Sequence, residues 1–397
     1  MDTDVAVLQR AAGLRDDIIA PNQSEFRVLA ILRYVDSHGQ HHEVVGTNSE
    51  QCFIGGSLCA ERAALSKLRH HDCARIERIF LVSDLDGPLT PGVLCREMLL
   101  SACDADTTVV MAGRGGLADA DEDAGDGDVD GDTSGDCASH EAEQTSCSDA
   151  QAPCTAAAAG ADSTTVTPAM VMRRTLQQLY PYRCAYSRLS KDQIIASGQA
   201  FQDAASGTGA GAELREPRWR ELYLEALAAA SHDCAPVHPV RYGAAVLFSD
   251  GSSEVGWQLK AMEYGATLDA VSMLAHPLEK RRVAAALAVA GGDDQVAAAA
   301  RAAAQPVLIM QVDHFGRLHA PFAPARSFLY EHHYDDALVA VHVCATDNNA
   351  CGTPPCDVAQ ESRIAVEYVK VAQLVPDSPQ HIFDGAIVEA KTCNGCC

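Results

Sequence analysis

The sequence predicts an α/β protein made of two tandem copies of an α/β/α sandwich, and three observations carry that prediction. Between residues 26 and 182, strand-like apolar runs alternate with amphipathic stretches in the order β-β-α-β-α-β, which implies a mixed sheet with helices packed on it. The same order returns between 240 and 379. A chain of 397 residues, 47% of them hydrophobic, is also long enough to bury two or three cores.

The elements follow in turn. FRVLAILRYV at 26–35 and the run at 43–46 form a strand pair joined by Ser37, His38 and Gly39, and 58–70 has helical spacing. IFLVSD at 79–84 reads as a buried strand, and a helix at 93–102 follows Pro91 and Gly92. TTVVMAG at 107–113 is a further strand, and MVMRRTLQQLYPY at 170–182 gives a last strand and a short helix. In the second copy VRYGAAVLF at 240–248 mirrors 26–34, and Ser249–Gly251 mirrors Ser37–Gly39. VLIMQVD at 307–313 mirrors IFLVSD, Arg326 mirrors Arg96, and 366–379 mirrors the closing strand and helix. A helix at 218–230 lies between the copies. The resulting division is 1–185, a connector at 186–235, 236–380, and a cysteine-rich tail at 381–397.

The formal net charge is -24. Half of it comes from residues 119–149, with twelve Asp and Glu and no Lys or Arg, inside a Gly-, Ser- and Ala-rich stretch at about 114–166 that reads as a disordered insert. Asp126, Asp128, Asp130 and Gly131 imitate the start of a calcium loop, but Cys137 stands where a bidentate Glu is required, so a solvated acidic loop is the better reading. With no basic stripe to offset it, this charge disfavours long nucleic acid and anionic membrane surfaces as partners. No run reaches eighteen apolar residues, and the first thirty residues carry no leader pattern, so a cytoplasmic location is expected. The sixteen cysteines are then expected to be reduced thiols or metal ligands.

The residues able to carry chemistry lie in GTNSEQCFIGGSLCAERAAL at 46–65 and SDLDGPLTPGVLCREML at 83–99. Each segment follows a strand and opens a helix, which places Cys59 and Cys95 near helix N-termini that favour thiolates. Glu61, two residues after Cys59, is placed to move a proton beside a metal ion. Taken alone, Glu61 would be read as a carboxylate complementing the helix dipole.

Cys59-Ala60-Glu61-Arg62, with a cysteine returning at Cys95 after Pro91, resembles the zinc signature of the cytidine deaminase family. Ser24-Glu25-Phe26-Arg27-Val28 resembles its first strand, Gly46-Thr47-Asn48-Ser49-Glu50 its G-x-N-x-E segment, and Leu176 to Pro181 its closing L-x-x-L-x-P. The resemblance implies a cytidine deaminase-like sandwich and Zn2+ held by Cys59 and Cys95. It further implies that Glu61 is the catalytic proton carrier, that Phe26 lies against the base, and that Asn48 and Glu50 hold the sugar. A free nucleoside substrate and a homo-oligomer, a dimer, are implied with it.

One position departs from the pattern. Gly92 stands where the family has a zinc-ligand cysteine, and catalytic zinc normally keeps three protein ligands. Cys52 and Cys103 are alternative donors, neither with matching spacing; the tail Cys393-Asn394-Gly395-Cys396-Cys397 could reach back, but a bare CxxCC reads first as having no function. In the second copy the run from Tyr264 to Ala270 has no thiol or imidazole, with Asp269 standing where the Glu would, and Ala320 to Arg326 lacks both cysteines. The histidine pairs at 41–42, 70–71 and 332–333 read as surface residues, because neighbours in sequence do not share a face. Two functional readings follow: a zinc-dependent nucleoside deaminase, or a deaminase fold that has lost catalysis and serves as a binding module.

Overall fold

The computed structural model describes residues 2–21, 23–51, 54–114, 171–206, 214, 216–234, 238–262, 264–291, 294–343 and 365–378. The acidic insert, Cys52, the calcium-like run and the tail cysteines fall outside these residues.

The first sheet has the order β2-β1-β3-β4-β5, from β1 (Val28–Val35), β2 (His41–Thr47), β3 (Arg75–Ser83), β4 (Thr108–Ala112) and β5 (Val171–Thr175). Only β3 and β4 run parallel; the other pairs are antiparallel. The second sheet repeats this arrangement as β7-β6-β8-β10-β11, from β6 (Tyr242–Phe248), β7 (Ser253–Trp257), β8 (Pro306–Asp313), β10 (Leu338–Val343) and β11 (Ala365–Lys370), with β8 and β10 its parallel pair. A short β9 (Leu318–His319) adds to β8. These are mixed sheets with helices on both faces, an α/β sandwich as expected from the sequence.

Burial explains why the central strands read as continuous apolar runs. Leu29, Ile31, Phe80 and Val110 face one side of the first sheet, where α1 (Asp4–Asp16) covers them with Val7, Leu8 and Ala11. Ala30, Leu32, Ile79, Leu81 and Val109 face the other, against α2 (Ala60–Leu68) and α3 (Val93–Leu100). A strand buried on both faces loses the alternation of a half-exposed one. The turns joining β1 to β2 and β6 to β7 each hold a glycine at positive φ, 79° at Gly39 and 83° at Gly251, a conformation that costs other residues more.

The second sheet is clad in the same way. The helix expected at 218–230 is α6 (Pro217–Ala229), following α5 (Lys191–Ser206), and its Trp219, Leu222, Tyr223 and Ala226 cover the outer face. Although it lies in the stretch read as connector, α6 packs on β6, β7 and β8, as α1 packs on the first sheet. The alanine-rich 283–305 segment forms α7 (Ala275–Ala290) and α8 (Asp294–Ala304). No helix among the described residues is long and apolar enough to cross a membrane.

The halves meet through α3 and α9 (Ala323–Glu331), and one continuous apolar core spans both sheets. Two fully buried arginines stitch this junction reciprocally. Arg96 donates to Pro91 O, Leu179 O and Thr90 Oγ1 in its own half, and to Pro376 O and Asp377 O across the junction, at 2.7–2.9 Å. Arg326 donates to Pro321 O and Leu374 O in its half and to Pro181 O and Tyr182 O in the other. The acceptor turns match as well: Tyr182 and Asp377 both take positive φ, 53° and 48°.

Candidate metal and catalytic site

Cys59 is the N-cap of α2, and Glu61 sits in its first turn. Gly92 is the N-cap of α3, and Cys95 lies one turn along. The two helices lie side by side on the inner face of the first sheet, so their N-termini, with free N–H groups and partial positive charge, converge on one spot. There the Sγ atoms of Cys59 and Cys95 and a carboxylate oxygen of Glu61 lie within 4.8 Å of one another. Glu61 and Cys95 are buried, and Cys59 is partly open.

Charge is distributed unevenly over the three groups. A hydrogen bond from Cys95, helped by Arg62, holds the Cys59 thiol down at about 6. Cys95 is pushed up in return by that same bond and by burial, so the metal-free pair keeps one proton on Cys95. Burial pushes the Glu61 carboxyl up to about 7, and the nearby Cys59 charge adds to the effect. Arg62 donates to Ser57 O at 2.7 Å and to Cys59 Sγ at 3.6 Å, setting a cation against the thiolate. A divalent cation must displace the Cys95 proton, so its binding is expected to tighten as pH rises from about 6 to about 8. Chelator competition across that range measures this directly; affinity independent of pH would contradict the shared-proton arrangement.

The position of α2 rests on Gly46 in β2. A Cβ there would lie 2.3 Å from both Ala60 O and Ala64 N, backbone atoms that move only with the helix. Gly46→Ala is therefore expected to destabilise the fold by about 3 kcal/mol and to lower metal affinity, read by urea titration and metal binding. A transition midpoint unchanged from wild type would show that the helix yields freely.

Asn48 and Glu50 stand at the rim. An isolated bridge pairs Ser49, between them, with Leu58, the residue before Cys59. The Asn48 side chain accepts from Val28 N at 2.9 Å and donates to Phe26 O at 2.8 Å, fixing the start of β1. Glu50 accepts from Ser24 N and Ser24 Oγ. Phe26 is half-buried against the core. The Phe26, Asn48 and Glu50 segments are thus tied to one another and, through Ser49, to the strand entering Cys59.

At Gly92 the expected third thiolate is absent, and a Cβ built there would meet nothing within 4 Å. Cys103 does not replace it: it packs against the core, and burial pushes it up to about 12. Among the described residues Cys59, Glu61 and Cys95 form the single metal-ligating cluster. Two thiols and a carboxylate in this compass are a donor set suited to a zinc-type ion.

The second half has lost each of these groups. The Leu259–Leu268 bridge matches Ser49–Leu58, and Gly256 abuts Ala270 O as Gly46 abuts Ala60 O. This register corrects the placement of Asp269: it stands level with Cys59, and Val271 stands level with Glu61. Asp269 is spent on capping, accepting from the N–H groups of Val271 and Ser272. Phe322 and Ala325 replace Gly92 and Cys95. Sequence reasoning missed Glu97, which crosses from α3 to accept Ala323 N, at the N-terminus of α9, while Tyr180 O–H donates to its other oxygen. It directly follows Arg96, which mirrors Arg326 in the repeat, so the repeat itself points to the neighbouring position.

Comparison with known proteins bears on this site. A cytidine deaminase of Halalkalibacterium halodurans is 30% identical over 105 residues, spanning 26% of this chain and 76% of that protein. The chain belongs to the cytidine deaminase family. No family model matches it. Among solved structures, the cytidine deaminase from Burkholderia pseudomallei shares 27% identity, covering 28% of this chain and 87% of its own, with a TM-score of 0.25. That from Mycobacterium tuberculosis shares 20%, covering 41% and 98%, with a TM-score of 0.27. The chain carries the Cys-Ala-Glu-Arg helix start and a second cysteine at Cys95, with Gly92 at the position where the sequence resemblance leads one to expect another thiol.

Proposed function

We propose that the chain deaminates a free pyrimidine nucleoside, converting cytidine or deoxycytidine to the uridine counterpart, with Zn2+ held by Cys59 and Cys95. The observation carrying this reading is the buried Glu61 carboxyl within 4.8 Å of two thiols. Zinc, when bound, supplies the Lewis acid that makes water nucleophilic near neutral pH. Glu61 carries the proton from that water to the ring nitrogen N3. A carboxyl held at about 7 is matched to both taking and giving a proton. Asn48 and Glu50 orient the sugar, and Phe26 lies against the base. The water oxygen would add at C4, its remaining proton would pass through Glu61 to the amino nitrogen, and ammonia would leave as the C4 carbonyl forms.

The two halves are read as tandem copies of one domain, the first carrying chemistry and the second supporting it across the α3–α9 junction. The net charge of -24 agrees with a small nucleoside rather than long nucleic acid as partner. A cytoplasmic homodimer is part of the same reading.

A second reading, a binding module that has lost catalysis, is favoured by the open space at Gly92. Zinc per chain and cytidine turnover separate the two. The enzyme reading expects about one zinc per chain, lost on Cys59→Ala, and turnover that falls about 10²- to 10⁴-fold on Glu61→Gln. Zinc content untouched by Cys59→Ala, together with no turnover, would select the binding module.

A further inference from the structure

We infer that Glu61 itself is the third protein ligand of the metal in the substrate-free chain, so that the centre rests as a closed set of two thiolates and one carboxylate. The inference rests on the proposed metal-bearing reading of this site and adds to it a self-inhibited resting state.

Distance is the first support. Zinc–thiolate bonds of about 2.3 Å and zinc–carboxylate bonds of about 2.1 Å in a tetrahedral site place donors roughly 3.5–3.8 Å apart. Donor atoms already within 4.8 Å need only small side-chain rotations to close on one ion. The empty space at Gly92 is the second. Among the described residues nothing lies within 4 Å of the missing side chain, and no further His, Cys, Asp or Glu joins the cluster.

Charge balance is the third. Three thiolates facing a divalent cation and Arg62 would make a neutral group, leaving the Glu61 carboxyl free to stay protonated. Removing one thiolate at Gly92 leaves one uncompensated positive charge in a partly buried site, which is unfavourable. The Glu61 carboxylate is the buried anion at hand, and its ligation restores neutrality. A carboxylate bound to the ion carries no proton, so the resting site is silent until Glu61 is displaced.

The test is a double-mutant cycle on the full chain, reading Co2+ affinity by chelator competition in wild type, Glu61→Gln, Gly92→Cys and the double variant. Glu61→Gln is expected to weaken Co2+ binding about 10²-fold in the native background and less than about 2-fold beside Cys at 92. The wild-type cobalt complex is expected to show weaker thiolate-to-metal charge transfer than Gly92→Cys, reporting two thiolates against three. Equal affinity for wild type and Glu61→Gln, equal losses in both backgrounds, no Co2+ bound by wild type, or three-thiolate intensity in wild type would each overturn the assignment. Thermal melts of all four proteins separate loss of a ligand from loss of fold. Deamination is scored separately by cytidine turnover in the Gly92→Cys chain, so failure of that reading leaves the affinity cycle interpretable.

Discussion

Gly92→Cys is expected to raise cytidine turnover about 10²-fold or more over the native chain at equal zinc, the scale on which metal-site changes act. The backbone is already suited to the substitution. Gly92 has φ -59° and ψ 154°, which any residue adopts, and its Cβ would enter open space. The new side chain stands at the N-cap of α3, one turn before Cys95, where the helix N-terminus favours a thiolate. On the proposed reading, a third thiolate would complete the three-ligand site that catalytic zinc normally keeps and would free Glu61 for proton transfer. Steady-state kinetics with zinc-loaded protein measure the gain. Gly92→Ser, which fills the same space without a zinc-binding thiolate, is the control and should give no comparable increase. If zinc-loaded Gly92→Cys turns over no faster than wild type, the missing ligand is not what limits catalysis.

Arg96→Met is expected to destabilise the chain by about 3–5 kcal/mol. Arg96 is fully buried, and burial pulls its guanidinium down to about 10, evidence of the desolvation it bears. That cost is offset by its five hydrogen bonds, of which four go to backbone carbonyls and two cross to the other half. Methionine fills the volume and removes this donor from Pro91 O, Leu179 O and Pro376 O, whereas Asp377 O still accepts from Thr90 Oγ1 at 2.6 Å, and each buried carbonyl left without a partner costs about 1–3 kcal/mol. Lysine would not rescue, because a single ammonium cannot span acceptors that the planar fork reaches together. Both tryptophans, Trp219 and Trp257, lie in the second half. Tryptophan fluorescence during urea unfolding therefore reports whether damage at Arg96 crosses the junction. Arg326→Met should act similarly, aggravated by losing its stacking over Tyr180, with ring centroid and guanidinium 3.9 Å apart. Strict additivity of the two substitutions would show that the two arginines are not energetically coupled across the junction.

Much of this architecture is legible along the chain. IFLVSD and VLIMQVD announce β3 and β8, and the Cys-Ala-Glu-Arg run announces the start of α2, because burial on both faces and helix initiation leave local signatures. The helix α1 leaves little signature: Val7, Leu8 and Ala11 lie in an acidic, alanine-containing stretch, and their burial depends on the sheet they cover. Asp269 was misplaced because a carboxylate near a helix start looks the same in sequence whether it replaces a thiol or a Glu. The strand bridge at Leu268 decides between them.

The sequence by itself singled out the side chains able to do chemistry: two thiols, one glutamate, and a glycine where the resemblance leads one to expect a third thiol. Tertiary structure alone decided that Cys59, Glu61 and Cys95 converge, that the space beside Gly92 is open, and that Arg96 and Arg326 clasp each other's halves. The physical reason is one of range. Periodicity and capping record how each residue meets its own helix or strand, whereas the approach of two helix N-termini depends on how whole elements pack across a sheet.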